Sequence, residues 1–157
     1  MLLPHIKPMS LRLVREAFDD PAYVFELKHD GFRAVCYIKN GECRLVSRNL
    51  RNLRFESLQK TLARLPVRDA ILDGEIICLD QNGVSQFNAL FERGKEPVFY
   101  VLDLLWLDGT DLKELHLIER KNRLSKLAQS GGCTGCFTRS TLRNTVGISL
   151  EKFACGT

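Results

Sequence analysis

The sequence predicts a single α+β domain in which antiparallel sheets are flanked by helices. Two β-like runs joined by a tight Asn-Gly turn, two segments with apolar residues at helical spacing, and a length of 157 residues, enough for one real core, lead to that class. Near-average hydrophobic (45%) and charged (27%) fractions exclude a disordered or fibrous chain. No apolar run approaches the roughly 18 residues that would span a bilayer, and the Met1-Leu2-Leu3-Pro4-His5 opening is too short for a secretory core. No membrane partner is therefore expected, and the cytoplasm is the expected compartment. A net charge of +4 permits a polyanionic partner without arguing for one.

The elements follow in order. After the turn-forming Asp19-Asp20-Pro21, residues 23–28 alternate so that Phe25 and Leu27 face one way while Glu26 and Lys28 face the other, the pattern of a half-buried strand. Residues 34–38 and 44–47 form a hairpin, because Asn40-Gly41 between them supplies the positive φ angles of a two-residue turn. From Leu53 to Leu65 the residues Phe55, Leu58, Leu62 and Leu65 recur at helical spacing, and Pro66 closes the segment. Residues 70–79 and 98–107 read as buried strands, and 85–91 as ambiguous. Leu117, Leu124 and Leu127, interleaved with Arg120, Lys121, Arg123 and Lys126, outline an amphipathic helix over 117–128 whose basic face is read as solvated. Cys36, Cys43 and Cys78 lie in apolar or strand-like runs, so the cysteines are read as reduced and structural.

Chemistry concentrates in Lys28-His29-Asp30-Gly31-Phe32-Arg33, where a lysine ends one strand, a glycine turns the chain and an arginine opens the next. A lysine amine can attack phosphorus and hold the product as a phosphoramidate once it is deprotonated, and its reference pKa of ~10.4 calls for help from cations or desolvation. Arg33 and a divalent metal are the expected sources of that help and of a phosphate clamp. A plain surface turn would need the same Asp-Gly pair, but Lys, Asp, Gly and Arg at these four offsets arise by chance on the order of once in a thousand such chains. Glu75 is a second candidate, because Ile71, Leu72, Ile76 and Ile77 flank it and a carboxylate in such a strand is costly unless something binds it.

Lys-x-Asp-Gly-x-Arg resembles the signature of the covalent nucleotidyltransferases, which include ATP-dependent DNA ligases, RNA ligases and mRNA capping enzymes. The resemblance implies that Lys28 attacks the α-phosphate of ATP, and Glu26 matches the glutamate that DNA ligases place beside adenine. Ser47-Arg48-Asn49 is similar to the second family motif, whose arginine contacts ribose, and Leu72-Asp73-Gly74-Glu75 to the third, whose glutamate serves the ribose and the metal. The stretch from Phe99 to Gly109 resembles the aromatic-rich strand under the base, and Leu117-Ile118-Glu119-Arg120-Lys121 the helix start that follows it in bacterial ligases. The family thus implies an ATP-grasp-like nucleotidyltransferase fold, ATP and Mg2+ as cofactors, and nicked double-stranded DNA as substrate, in DNA repair and recombination. Residues lining the ATP pocket would be Glu26, Lys28, Arg33, Arg48, Glu75, Tyr100 and Leu102, with Glu75 near the metal.

Two positions depart from the family. Leu50 stands where ligases usually have glycine after Ser-Arg-Asn, and Leu102 stands where a phenylalanine often stacks on the base, which leaves Tyr100 as the nearest aromatic substitute on the same strand face. The likeness runs from about Pro8 to Lys126 and stops before the family's Glu-Gly strand, Lys-x-Lys strand and OB domain. Residues 1–128 are accordingly read as a partial adenylation domain, competent at most for the first step of nick sealing. Residues 129–157, with five of the eleven glycines and three of the six cysteines, read as an atypical and poorly ordered tail marking a truncation or a shifted reading frame. Cys133 and Cys136 lack the further ligands zinc needs, and His5, His29 and His116 read as surface residues. An RNA ligase, a capping-type enzyme and a non-catalytic remnant are the alternatives.

Overall fold

Nearly continuous apolar runs from Phe32 onward make strands that can be buried on both faces. In the computed structural model, which describes residues 3–9, 12–16, 18–131 and 136–137, these runs form one sheet rather than several. Strands β1 (Phe32–Lys39), β2 (Glu42–Ser47), β3 (Asn52–Leu53), β4 (Asp69–Ile77), β5 (Val98–Leu107) and β6 (Thr110–Asp111) lie in the order β3-β2-β1-β4-β5-β6, antiparallel throughout. A seventh strand, β7 (Cys136–Phe137), adds to β5 in parallel through Phe99 and Tyr100. The rest of the segment expected to be a disordered tail lies outside the described residues, apart from the end of a helix described next.

The hairpin forms where the sequence placed it, with Asn40 at φ 49° and Gly41 at φ 77°. Helix α1 (Glu56–Leu62) is shorter than the expected span, yet Leu58, Leu62 and Leu65 are all buried as the period required. Helix α2 (Leu117–Gly131) begins where expected and runs three residues past 128, and the ambiguous stretch before β5 holds a 3-10 turn, Phe87–Phe91. Both helices cover the same face of the sheet, where Leu58, Leu62 and Leu124 meet Ala34, Cys36, Ile38, Leu72, Ile76 and Phe99. The opposite face carries Val35, Tyr37, Val46 and Ile71, covered from one end by Leu3 and Ile6. Tyr37 ties that cover down, accepting from the Ile6 N–H at 2.9 Å and donating to its carbonyl at 3.2 Å.

One expected strand is absent. Residues 23–28 join no ladder apart from an isolated bridge at Phe25, and Leu27 is 47% exposed rather than turned inward. Alternation predicts two faces only where a neighbouring strand and a packed layer exist to distinguish them, and among the described residues this stretch has neither. The three cysteines read as reduced, Cys36, Cys43 and Cys78, form no disulfide among the described residues. No helix among the described residues is long and apolar enough to cross a membrane.

Candidate active site

The register of the three central strands assembles the site. Arg33 of β1 lies opposite Glu75 of β4, and Glu75 lies opposite Tyr100 of β5, so the three form one row across the sheet. One step along, the Arg33 guanidinium grips Asp73 with both ends of its fork, Nε to Oδ1 at 2.8 Å and Nη2 to Oδ2 at 2.7 Å. Asp73 is the one buried charged residue among the described residues, and this bidentate pairing is what makes its burial tolerable.

The turn bearing Lys28 rests on this row. A Cβ on Gly31 would sit 2.2 Å from the Ile76 carbonyl oxygen and 2.7 Å from the Ile77 side chain, so only glycine lets the turn approach the β4 backbone this closely. From that position the Gly31 N–H faces the Glu75 carboxylate and favours its charged form. Burial pushes the Glu75 carboxyl above its ordinary pKa, opposed by the Arg33 charge, by the Gly31 N–H and by Lys28. Beside it the Asp30 N–H donates to Ser85 Oγ at 3.1 Å, fastening the turn to the loop after β4.

Lys28 itself points to solvent, its side chain 83% exposed, and its ammonium donates to Asp30 Oδ1 at 2.7 Å. That hydrogen bond, followed by the Asp30 charge, raises the lysine pKa and lowers that of Asp30. The expected activation is therefore not built into the resting site: Arg33 is committed to Asp73, and the charge nearest the amine is negative. An exposed pair of this kind is weak and gives way readily when a stronger anion arrives.

His29, read as a surface residue, is instead half-buried, its ring 4.3 Å from that of the buried Tyr100. Leu102 does not simply share a face with Tyr100, because the β4 ladder steps from Val101 to Asp103 and leaves Leu102 in a bulge. A second skip leaves out Leu105. The Leu102 carbonyl accepts from Lys121 Nζ at 2.8 Å, and the same ammonium donates to Glu26 Oε1 at 2.5 Å. Next to it, Arg120 clasps Asp103 through Nε at 2.9 Å and Nη2 at 2.8 Å, pinning the start of α2 to β5. Arg48 stands apart, exposed in the turn beyond β2 and without a hydrogen bond or ion pair to the others among the described residues. In that turn Leu50 takes φ 62°, the left-handed conformation that a glycine would adopt freely.

The structure thus gathers Arg33, Glu75 and Tyr100, packs the turn that bears Lys28 beside them, and brings Glu26 to Leu102 through Lys121. Sequence reasoning missed Asp73, His29, Ser85 and Lys121. The argument that singled out Glu75, a carboxylate among apolar neighbours, applies equally to Asp73 and could have found it. Nothing local pairs Lys121 with Glu26, which is 95 residues away. Among the described residues no group of three or more His, Cys, Asp or Glu would hold a metal unaided.

Residues 4–146 match the family described as ATP dependent DNA ligase domain. The multifunctional non-homologous end joining protein LigD of Pseudomonas aeruginosa is 40% identical over 114 residues, which cover 68% of this chain and 14% of LigD. The SPbeta prophage-derived DNA ligase-like protein LigB of Bacillus subtilis is 32% identical over 165 residues, covering 94% of this chain and 60% of LigB. The chain therefore spans a small part of LigD and three fifths of LigB. Among solved structures, the ligase domain of M. tuberculosis LigD superposes with a TM-score of 0.68 at 30% identity, covering 77% of this chain and 41% of that one. A mycobacterial DNA ligase D complexed with ATP and MES gives 0.67 at 30% identity, covering 76% and 40%.

Proposed function

Because this chain belongs to the family of ATP-dependent DNA ligase domains, we propose that it binds ATP over the Arg33-Glu75-Tyr100 row and transfers AMP to Lys28. The Lys28 amine, having lost its proton, forms a bond to the α-phosphorus while the bond to the bridging oxygen breaks and pyrophosphate leaves. Glu26 reads the base, Tyr100 and Leu102 cover it, Arg48 serves the ribose, and Arg33 meets phosphate oxygens once released from Asp73. Glu75, with the Asp30 charge close by, is a donor set that fits Mg2+, which favours one or two carboxylates together with substrate phosphates and supplies neutralisation of phosphate charge. The AMP then passes to the 5′-phosphate of a nick in duplex DNA, in repair or recombination within the cytoplasm. LigD is by name an end-joining protein and LigB a DNA ligase-like protein, and both fit that substrate.

One observation carries the reading: the turn that bears Lys28 is packed through Gly31 onto the β4 backbone, beside a row of arginine, carboxylate and aromatic. Intact-mass measurement after incubation with Mg2+ and either ATP or GTP tests it. An AMP adduct that disappears in Lys28→Ala is the expected result. A GMP adduct instead would favour a capping-type enzyme, and an adduct surviving in Lys28→Ala would overturn the nucleophile.

A further inference from the structure

We infer that Lys121 is a positioning residue, which fixes the Glu26 carboxylate in the single pose that lets it choose one nucleobase over another. The inference rests on the reading of this site as a nucleotide pocket with Glu26 beside the base. Glu26 lies on a segment that, among the described residues, has one isolated bridge at Phe25 and no ladder, so its direction rests on side-chain contacts. One contact supplies it. Lys121, its side chain only 10% exposed, reaches from α2 to Glu26 Oε1 at 2.5 Å and to the Leu102 carbonyl at 2.8 Å. The lysine thereby ties together two residues far apart in the sequence that the nucleotide reading places around the base. Its own root is firm, because the adjacent Arg120 holds the helix start to Asp103 through two hydrogen bonds.

The chemistry follows from what a carboxylate can do. It only accepts hydrogen bonds, and with Oε1 taken by Lys121 the other oxygen, which has no partner among the described residues, is left to face a ligand. Held still, that oxygen accepts from the exocyclic amine of adenine and repels the carbonyl that guanine carries at the same place. Released, it is free to swing to the N1–H and amine of guanine, and the choice between the bases weakens.

Equilibrium binding of ATP and of GTP, each with Mg2+, to the full chain carrying Lys28→Ala tests this, since no covalent transfer can then obscure the affinities. ATP should bind more tightly than GTP. Lys121→Met, which keeps length and apolar bulk, should cut that preference by about tenfold, the scale on which loss of a buried polar partner discriminates between ligands. Lys121→Arg should keep most of it. Thermal unfolding checks that each variant is folded, and Glu26→Gln, whose amide both donates and accepts, should also reduce the preference should Lys121→Met not fold. A preference unchanged in Lys121→Met, or in Glu26→Gln should Lys121→Met not fold, or equal weakening of both nucleotides, overturns the positioning role while leaving the nucleotide pocket intact. Failure of both nucleotides to bind the folded Lys28→Ala chain overturns the pocket and, with it, this inference.

Discussion

Strands β1, β4 and β5 share ladders along nearly their whole length and bury residues on both faces. Residues 18–31, which carry Glu26 and Lys28, run alongside with one isolated bridge and are held, among the described residues, by a few contacts: Lys121 on Glu26, Ser85 on Asp30, the His29 ring against Tyr100 and Gly31 against the β4 backbone. The two regions divide the labour of the molecule. The ladder supplies stability and sets the Arg33-Glu75-Tyr100 row without adjustable parts, whereas the loosely tied segment carries the solvent-facing Lys28, which the proposed reaction needs to move between Asp30 and a ligand.

Truncation inside the frame should show the larger effect on folding. Ile76→Ala, at a fully buried position of the helix-covered core, should cost about 2–5 kcal/mol in denaturant unfolding, while Leu27→Ala on the exposed segment should change stability by no more than about 0.5 kcal/mol. Equal losses would erase the distinction between the regions. Gly31→Ala strikes the seam between them. The added methyl collides with the Ile76 carbonyl and lifts the turn away from Glu75, so adduct formation should fall by about a hundredfold, the effect of an ångström-scale misplacement, in a chain that still folds.

Protonation of the lysine gives a subtler measure. Because Asp30 raises the Lys28 pKa, the free amine is scarce at neutral pH, and its fraction grows about tenfold per pH unit until the pKa is reached. Single-turnover adduct formation should climb accordingly between pH 7 and pH 9, at about that slope. In Asp30→Asn the raising contact is gone, so the whole profile should move to lower pH; a flat profile, or one unmoved by the substitution, would show that Asp30 does not hold the proton on Lys28. The smallest effect is expected at the far end of β2, where Leu50→Gly should relieve the left-handed strain and stabilise the fold by about 0.5–1 kcal/mol, the glycine's extra chain entropy offsetting part of the gain. Destabilisation by that substitution would mean that the half-exposed Leu50 side chain contributes packing that outweighs its backbone.

The same division explains what could be read in advance. Asn40-Gly41, the leucines of α1 and the apolar run of β4 are local patterns, and each became the element it indicated. Residues 23–28 showed an equally clean alternation and joined no ladder, because alternation records what a strand could bury and not whether a neighbour is there to pair with it. At the site, the motif spacing singled out Lys28, Arg33 and Glu75, of which the ladder sets Arg33 opposite Glu75, but it said nothing of their resting partners. Arg33 turned to Asp73 and Lys28 to Asp30, choices made by geometry across strands. Tyr100 was legible as the aromatic of its strand, while the His29 ring lying against it was not.

The two bulges of β5 have a consequence for the molecule in a crowded solution. Leu102 and Leu105, the residues the β4 ladder leaves out, both have their carbonyls occupied from elsewhere, by Lys121 Nζ and by the Leu112 N–H at 3.0 Å, and the Leu104 N–H is taken by its neighbour Asp103 Oδ1 at 2.8 Å. A strand with spare, evenly spaced polar groups is a template on which another chain can add itself and begin an aggregate. Here the irregular spacing breaks the repeat such an intruder would need, and three of the groups it would use are already bonded, so this apolar strand is a poor template for edge-to-edge association along its middle.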